Sequence, residues 1–143
     1  MEFKMNAKEI QLPRKITNQL MHLAQLSPDL EICGLISCKN DLSYRCYPIE
    51  NTAKPAETRF QLDEKQQISA LSSMRDKNEQ LFAIYHSHPS APATPSSTDI
   101  KLATYPEAIH LIISLNTKGV LEIRAFNISK GSAEEISLSL STD

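Results

Sequence analysis

The chain has 143 residues, near the mode for one folded domain, with 41% hydrophobic and 22% charged residues. Fifteen Lys plus Arg stand against seventeen Asp plus Glu, a formal charge of −2, which argues against a nucleic-acid protein and its dominant basic surface. Three Gly exclude the Gly-rich phosphate cradles, and three Cys are an odd number and too few for a disulfide scaffold.

The N-terminus, MEFKMNAKEI, interleaves charges from residue 2 and has no apolar h-region, so no signal peptide is expected. The longest apolar stretch, IHLIISL at 109–115, is too short to span a bilayer. A reducing cytoplasm is the expected location, with neither nucleic acid nor membrane as a partner.

Pro13 suits the first turn of a helix, where its missing N–H costs nothing. Ile16, Leu20, Leu23 and Ala24 then recur at helical spacing, and Ser27-Pro28 stops the helix. Leu30 to Cys38 reads as a buried strand and Leu42 to Ile49 as its hairpin partner across Lys39-Asn40-Asp41. Residues 51–57 are loop, and Arg59 to Leu62 reads as a short strand. Asp63 with Gln66 resembles a capping box, opening a helix that carries Ile68, Leu71 and Met74. Leu81 to Tyr85 is an apolar strand running into His86-Ser87-His88-Pro89.

A Pro-, Ala- and Ser-rich loop follows. Ser96 or Ser97 can cap a short helix holding Ile100, Leu102, Ala103 and Tyr105. Residues 109–115 form a continuous apolar strand, central in a sheet. Residues 120–128 alternate, with Leu121, Ile123 and Ala125 on one face. Ile136, Leu138 and Leu140 alternate with serines, as in a strand wet on one side. The order predicts a mixed sheet with helices packed on it, in a single α/β or α+β domain over residues 1–143.

The chemistry concentrates at 86–99. His86 and His88 are two apart at a strand end, so both imidazoles share a face. Asp99 lies eleven residues past His88, a loop length that can return the chain to the strand end. Two imidazoles and a carboxylate suit zinc with one position open, the arrangement of a catalytic site. Such a metal lowers the pKa of water toward ~7. Other readings compete: most HxH pairs are surface or loop histidines, and an Asp at a helix start usually serves the helix dipole.

The segment HSHPSAPATPSSTD at 86–99 fits the spacing H-x-H-P, six residues, Ser, two residues, Asp. This resembles the JAMM motif of MPN-domain metalloproteases. Their pattern also has an upstream Glu on a strand, and EICGLI at 31–36 resembles that strand. N-T-A at 51–53, F-x-L-D from Phe60 to Asp63 and I-Y-H-S-H-P at 84–89 look like the compact bacterial branch. The likeness covers roughly residues 14 to 128. It implies a cytidine-deaminase-like α+β fold, with a mixed sheet flanked by helices.

By this resemblance, His86, His88 and Asp99 are zinc ligands, one Zn2+ per chain. Glu31 is the general base and not a ligand, and Ser96 supplies a hydroxyl to the oxyanion. A carboxylate takes a proton from water well only where a nearby group has made that water acidic, as zinc does. On its own, Glu31 at a strand start would read as solvated, and Ser96 competes for the role of helix cap. A nucleophilic Ser96 is disfavoured, because no histidine is left to activate it. His22 and His110 read as structural, and Cys33, Cys38 and Cys46 as unbridged thiols. Cys33 is expected on the strand face of Glu31, and Gly34 to allow close backbone approach.

The family cleaves peptide or isopeptide bonds after the C-terminal glycines of ubiquitin-like proteins. A chain this short resembles members that act on β-grasp sulfur carriers and release cysteine. The carrier's tail would add as a strand beside a sheet edge, with the loop 51–60 as one wall. MPN domains commonly pair, so a homodimer is compatible with the resemblance. The alternatives are a non-catalytic MPN interaction module, a zinc hydrolase of small amides, and a RadC-like DNA-associated branch. The intact ligand set disfavours the first, and the acidic balance disfavours the last.

Overall fold

The computed structural model describes residues 9–40, 43–116 and 121–142. Among them the order is β1 (Glu9–Pro13), α1 (Arg14–Gln25), β2 (Cys33–Lys39), β3 (Ser43–Ile49), α2 (Glu64–Asp76), β4 (Gln80–His88), α3 (Ser97–Lys101), β5 (Ile109–Ser114), β6 (Glu122–Ser129) and β7 (Ser132–Ser141). The strands form one mixed sheet in the order β1-β7-β6-β5-β4-β2-β3. β4 and β5 run parallel, as do β1 and β7, and the other pairs are antiparallel.

Strand side chains alternate between faces, and the two longer helices, α1 and α2, take one face each. Ile16, Leu20 and Ala24 of α1 pack with Ile36, Tyr85, Leu111 and Ile113. Ala70 and Met74 of α2 pack with Leu35 and Ile84 on the opposite face. β5 is the middle strand and is buried throughout, as its unbroken apolar run predicts. Each fully buried Leu or Ile here contributes about 1.5–3 kcal/mol. No helix among the described residues is long and apolar enough to cross a membrane.

Several expectations change. Strand β1 is not foreseen, because it is only five residues long and gains its ladder only from β7, more than a hundred residues later (Ile10 with Leu138, Leu12 with Leu140). Pro13 is the N-cap of α1, one residue before the first turn. β2 begins at Cys33, so Glu31 precedes the ladder and the strand-face argument linking it to Cys33 does not hold. Arg59 to Leu62 makes only an isolated bridge, Leu62 with Asn51.

Asp63 caps α2 by accepting the Gln66 N–H. The reciprocal half of the box is absent, because the Gln66 side chain accepts instead from the Glu50 N–H at 2.7 Å. Ile68 is exposed, and Ala70 takes the buried position beside Met74. α3 stops at Lys101, and Tyr105 turns left-handed with φ 55°. Asp41, Leu42 and Val120, included in the expected hairpin and sixth strand, lie outside the described residues.

Candidate active site

β4 extends three residues further than its apolar run and carries both histidines inside the ladder. His86 is the register partner of Ile112 and His88 of Ser114. Both share the face of Ile84 and are buried. Ser87, between them, points to the other face. Its Oγ accepts the Ile32 N–H at 2.9 Å and its N–H donates to the Ile32 carbonyl at 3.1 Å.

The Pro-rich loop after His88 is held at three points. The Ser114 hydroxyl donates to the Ala91 carbonyl, the His88 ring pairs with the Pro92 carbonyl, and Ala93 is buried against Ile112, Phe126 and Ile128. The loop therefore delivers α3 to the end of β4. Ser96 is the N-cap of α3: its Oγ accepts the Asp99 N–H at 3.0 Å, and Asp99 Oδ2 accepts the Ser96 N–H at 2.9 Å. The cap uses a lone pair of the Ser96 oxygen, and the hydroxyl proton stays available. The competition expected between the cap and an oxyanion donor therefore does not arise.

Asp99 Oδ2 lies 3.2 Å from His86 Nε2 and 3.1 Å from His88 Nε2, and the two nitrogens are 3.1 Å apart. His88 Nδ1 donates to the Pro92 carbonyl at 2.8 Å, which leaves Nε2 the bare acceptor of a neutral ring. His86 Nε2, His88 Nε2 and Asp99 Oδ2 thus converge, and once both rings present a bare Nε2 the three are acceptors that a cation satisfies together. Tetrahedral zinc sets its ligand atoms roughly 3.3 Å apart, so the residues fit such an ion.

Burial alone would raise the Asp99 carboxyl. Hydrogen bonding to His86, His88 and the Ser96 amide overcomes this and holds it well below the usual carboxylate range. Burial lowers His86. Burial also acts to lower His88, but Asp99 and the Pro92 carbonyl outweigh it and raise that ring. His86 stacks on Phe60, ring centroids 4.3 Å apart, while its buried Nδ1 has no partner.

Glu31 is 4% exposed, and its Oε1 has no hydrogen-bond partner. One carboxylate oxygen of Glu31 and one nitrogen of each histidine lie within 4.8 Å of one another. The Glu31 carboxylate therefore faces the histidine pair at close range. Burial pushes the Glu31 carboxyl up to about 8, opposed by His88 and reinforced by Asp99. A lone glutamate at a strand start reads as solvated, whereas this one is buried, unpaired and basic. It can hold a proton at neutral pH.

His22 is exposed on α1. His110 is buried with Nε2 unpaired, and burial pushes it down to about 4. It lines a cavity of about 510 Å³ together with His86, Asp99, Phe60, Leu62 and Thr98. Cys33, Cys38 and Cys46 form no disulfide. Burial, reinforced by Glu31, pushes the Cys33 thiol up to about 12, which makes it inert. Gly34 does allow close approach, because a Cβ there would sit 2.5 Å from Tyr85 Cζ and 2.6 Å from the Tyr47 carbonyl oxygen. Sequence reasoning assigned no role to Ser87, Asn51 or Phe60. Ser87 was findable, since the residue between two same-face histidines must point the other way.

A family model of prokaryotic homologs of the JAB domain matches residues 13–129. The CysO-cysteine peptidase of Mycobacterium tuberculosis is 33% identical over 122 residues, covering 84% of this chain and 82% of that protein. The probable TtuB-protein conjugate cleaving protease of Thermus thermophilus is 33% identical over 117 residues, 82% of this chain and 72% of that one. A solution structure of a Desulfitobacterium hafniense protein superposes with a TM-score of 0.78 at 31% identity, covering 93% of each chain. The structure described as JAMM, a metalloprotease-like zinc site in the proteasome and signalosome, has a TM-score of 0.59 at 18% identity, covering 93% of this chain and 98% of that one, a likeness of fold. The matched span, the mixed sheet and the named peptidases agree: this chain belongs to the prokaryotic JAB-domain family and is a hydrolase.

Proposed function

We propose that this protein is a single-domain zinc metallopeptidase that hydrolyses the bond after the C-terminal Gly-Gly of a ubiquitin-like sulfur carrier and releases cysteine in sulfur metabolism. The observation that carries the reading is the convergence of His86 Nε2, His88 Nε2 and Asp99 Oδ2 beside the buried, unpaired carboxyl of Glu31. The similarity to a CysO-cysteine peptidase and to a protein-conjugate cleaving protease supports the substrate class.

In this proposal His86, His88 and Asp99 hold the metal. When bound, the metal supplies Lewis acidity, polarising a carbonyl and making water more acidic. Glu31 accepts a proton from the attacking water at its carboxylate. The water oxygen bonds to the glycine carbonyl carbon, the C–N bond breaks, and Glu31 returns its proton to the departing amine. The Ser96 hydroxyl, free of any donor duty in the cap, donates to the oxyanion. A preorganised donor of this kind contributes about 3 kcal/mol.

The cavity beside His86 and Asp99 has Ala53, Phe60 and Leu62 of the 51–62 loop along one side. This supports the loop as a wall of the groove that takes the carrier's extended tail. Intact-mass measurement of a carrier–cysteine fusion beside a simple dipeptide tests the reading. Loss of cysteine from the fusion, with the dipeptide untouched, is expected. Cleavage of the dipeptide alone, or one zinc per chain with no hydrolysis of any fusion, contradicts it.

A further inference from the structure

Glu31 sits outside the sheet ladder, so something other than strand pairing must hold it. Its N–H donates to the Ala56 carbonyl at 2.9 Å, and its own carbonyl accepts from Asn51 Nδ2 at 3.0 Å. Both backbone groups of Glu31 are thus tied to the segment that follows β3, and both groups of Ile32 are tied to Ser87.

Asn51 is the hub of this segment. Nδ2 donates a second bond to the Arg59 carbonyl at 3.0 Å, and Oδ1 accepts from the Ala53 and Gln61 amides at 2.9 Å each. An amide side chain offers two donors and two acceptor lone pairs, and all four are used. The orientation follows from the partners, since two carbonyls face one end and two N–H groups the other. The loop is pinned further by the Thr52 N–H on the Gln61 carbonyl at 2.9 Å and by the Asn51–Leu62 bridge. The loop that walls the cavity and the residue that carries the proton therefore share one side chain.

We propose that Asn51 is a positioning residue that sets the placement of the Glu31 carboxylate relative to the His86, His88 and Asp99 cluster. The inference rests on the reading of Glu31 as the proton carrier. Asn51→Asp is the selective test: a carboxylate still accepts from Ala53 and Gln61, but loses both donors and turns an oxygen toward the Glu31 carbonyl. A misplacement on the order of 1 Å costs about 100-fold in rate.

The zinc-loaded Asn51→Asp protein is expected to keep its metal stoichiometry, lose about 100-fold in kcat on a carrier–cysteine fusion, and change KM by less than about threefold. Added to Glu31→Gln, it is expected to cause no further loss, because the group it positions is already disabled. Amide exchange supplies a readout free of substrate. The Glu31 N–H should exchange faster in Asn51→Asp while Ala53 and Gln61 keep their protection, and this holds even if no fusion is cleaved. Should Asn51→Asp fail to fold, Asn51→Ser, too short to span the four partners, carries the same expectations for metal, kcat, KM and the Glu31 amide, with Ala53 and Gln61 also exchanging faster because their acceptor is gone. Wild-type kcat, an equal further loss on top of Glu31→Gln, or unchanged exchange at Glu31 would each overturn the inference.

Discussion

Ser96 and Asp99 cap one another through reciprocal hydrogen bonds, and the Asp99 oxygen that closes the cap also faces both histidines. A helix terminus and a proposed ligand position are therefore one structure. Ser96→Ala removes the acceptor for the Asp99 N–H but leaves the Ser96 amide on Asp99. Stability should fall by about 1 kcal/mol in urea titration. Zinc content should persist, and turnover should fall about 100-fold for want of the hydroxyl donor. Ser96→Thr, which keeps both functions, should restore both readouts.

Removing His88 should act on the metal first. His88→Ala leaves His86 Nε2 and Asp99 Oδ2 as the remaining members of the converging trio. Chelator competition should show zinc affinity lowered by at least about 100-fold, with activity lost in parallel. Wild-type protein stripped by a chelator should lose turnover and regain it with added zinc.

The approach of Tyr85 to Gly34 gives a prediction about the fold. Tyr85 is fully buried, and the Cys46 thiol donates to its hydroxyl at 3.4 Å. A methyl at position 34 would collide with that ring and with the Tyr47 carbonyl, which is backbone and cannot swing away. Gly34→Ala should cost about 1–3 kcal/mol by overpacking, read as a lower urea midpoint with an unchanged slope.

Acid stability should trace to Glu79. Burial alone would raise its carboxyl, but hydrogen bonds from Tyr47 at 2.6 Å, Ser37 at 2.8 Å and Arg45 at 3.0 Å outweigh it, and the folded value lies below 4.5. A depressed carboxylate stabilises the fold above its unfolded pKa, and that contribution is lost as pH falls through the folded value. Glu79→Gln should lower the urea midpoint at neutral pH and flatten its decline from about pH 4.5 downward. An unchanged acid limb would remove Glu79 from the account.

The periodic elements were legible because local pattern and tertiary burial agree. The apolar run of β5 is buried at every position, and the 86–99 spacing brings two imidazoles and a carboxylate within reach of one another. What was not legible depends on partners distant in the chain. β1 shows only one short alternation, Ile10 and Leu12, and its ladder comes from β7. Glu31 reads as a solvated charge until Asn51, 20 residues later, fixes its carbonyl and Ser87, 55 residues past Ile32, fixes the residue beside it. Ile68 follows the helical period yet stays exposed, because Ala70 and Met74 already fill the contact with the sheet.

The central claim separates a proton carrier from the ligands around it, and Glu31→Gln tests that separation most directly. The substitution keeps the shape of the side chain and removes its basicity. Zinc stoichiometry by elemental analysis and turnover of a carrier–cysteine fusion should be measured on the same preparation. The account predicts one zinc per chain, as in the wild type, with turnover lost. Turnover near the wild-type level, or loss of the metal on this substitution, would contradict it.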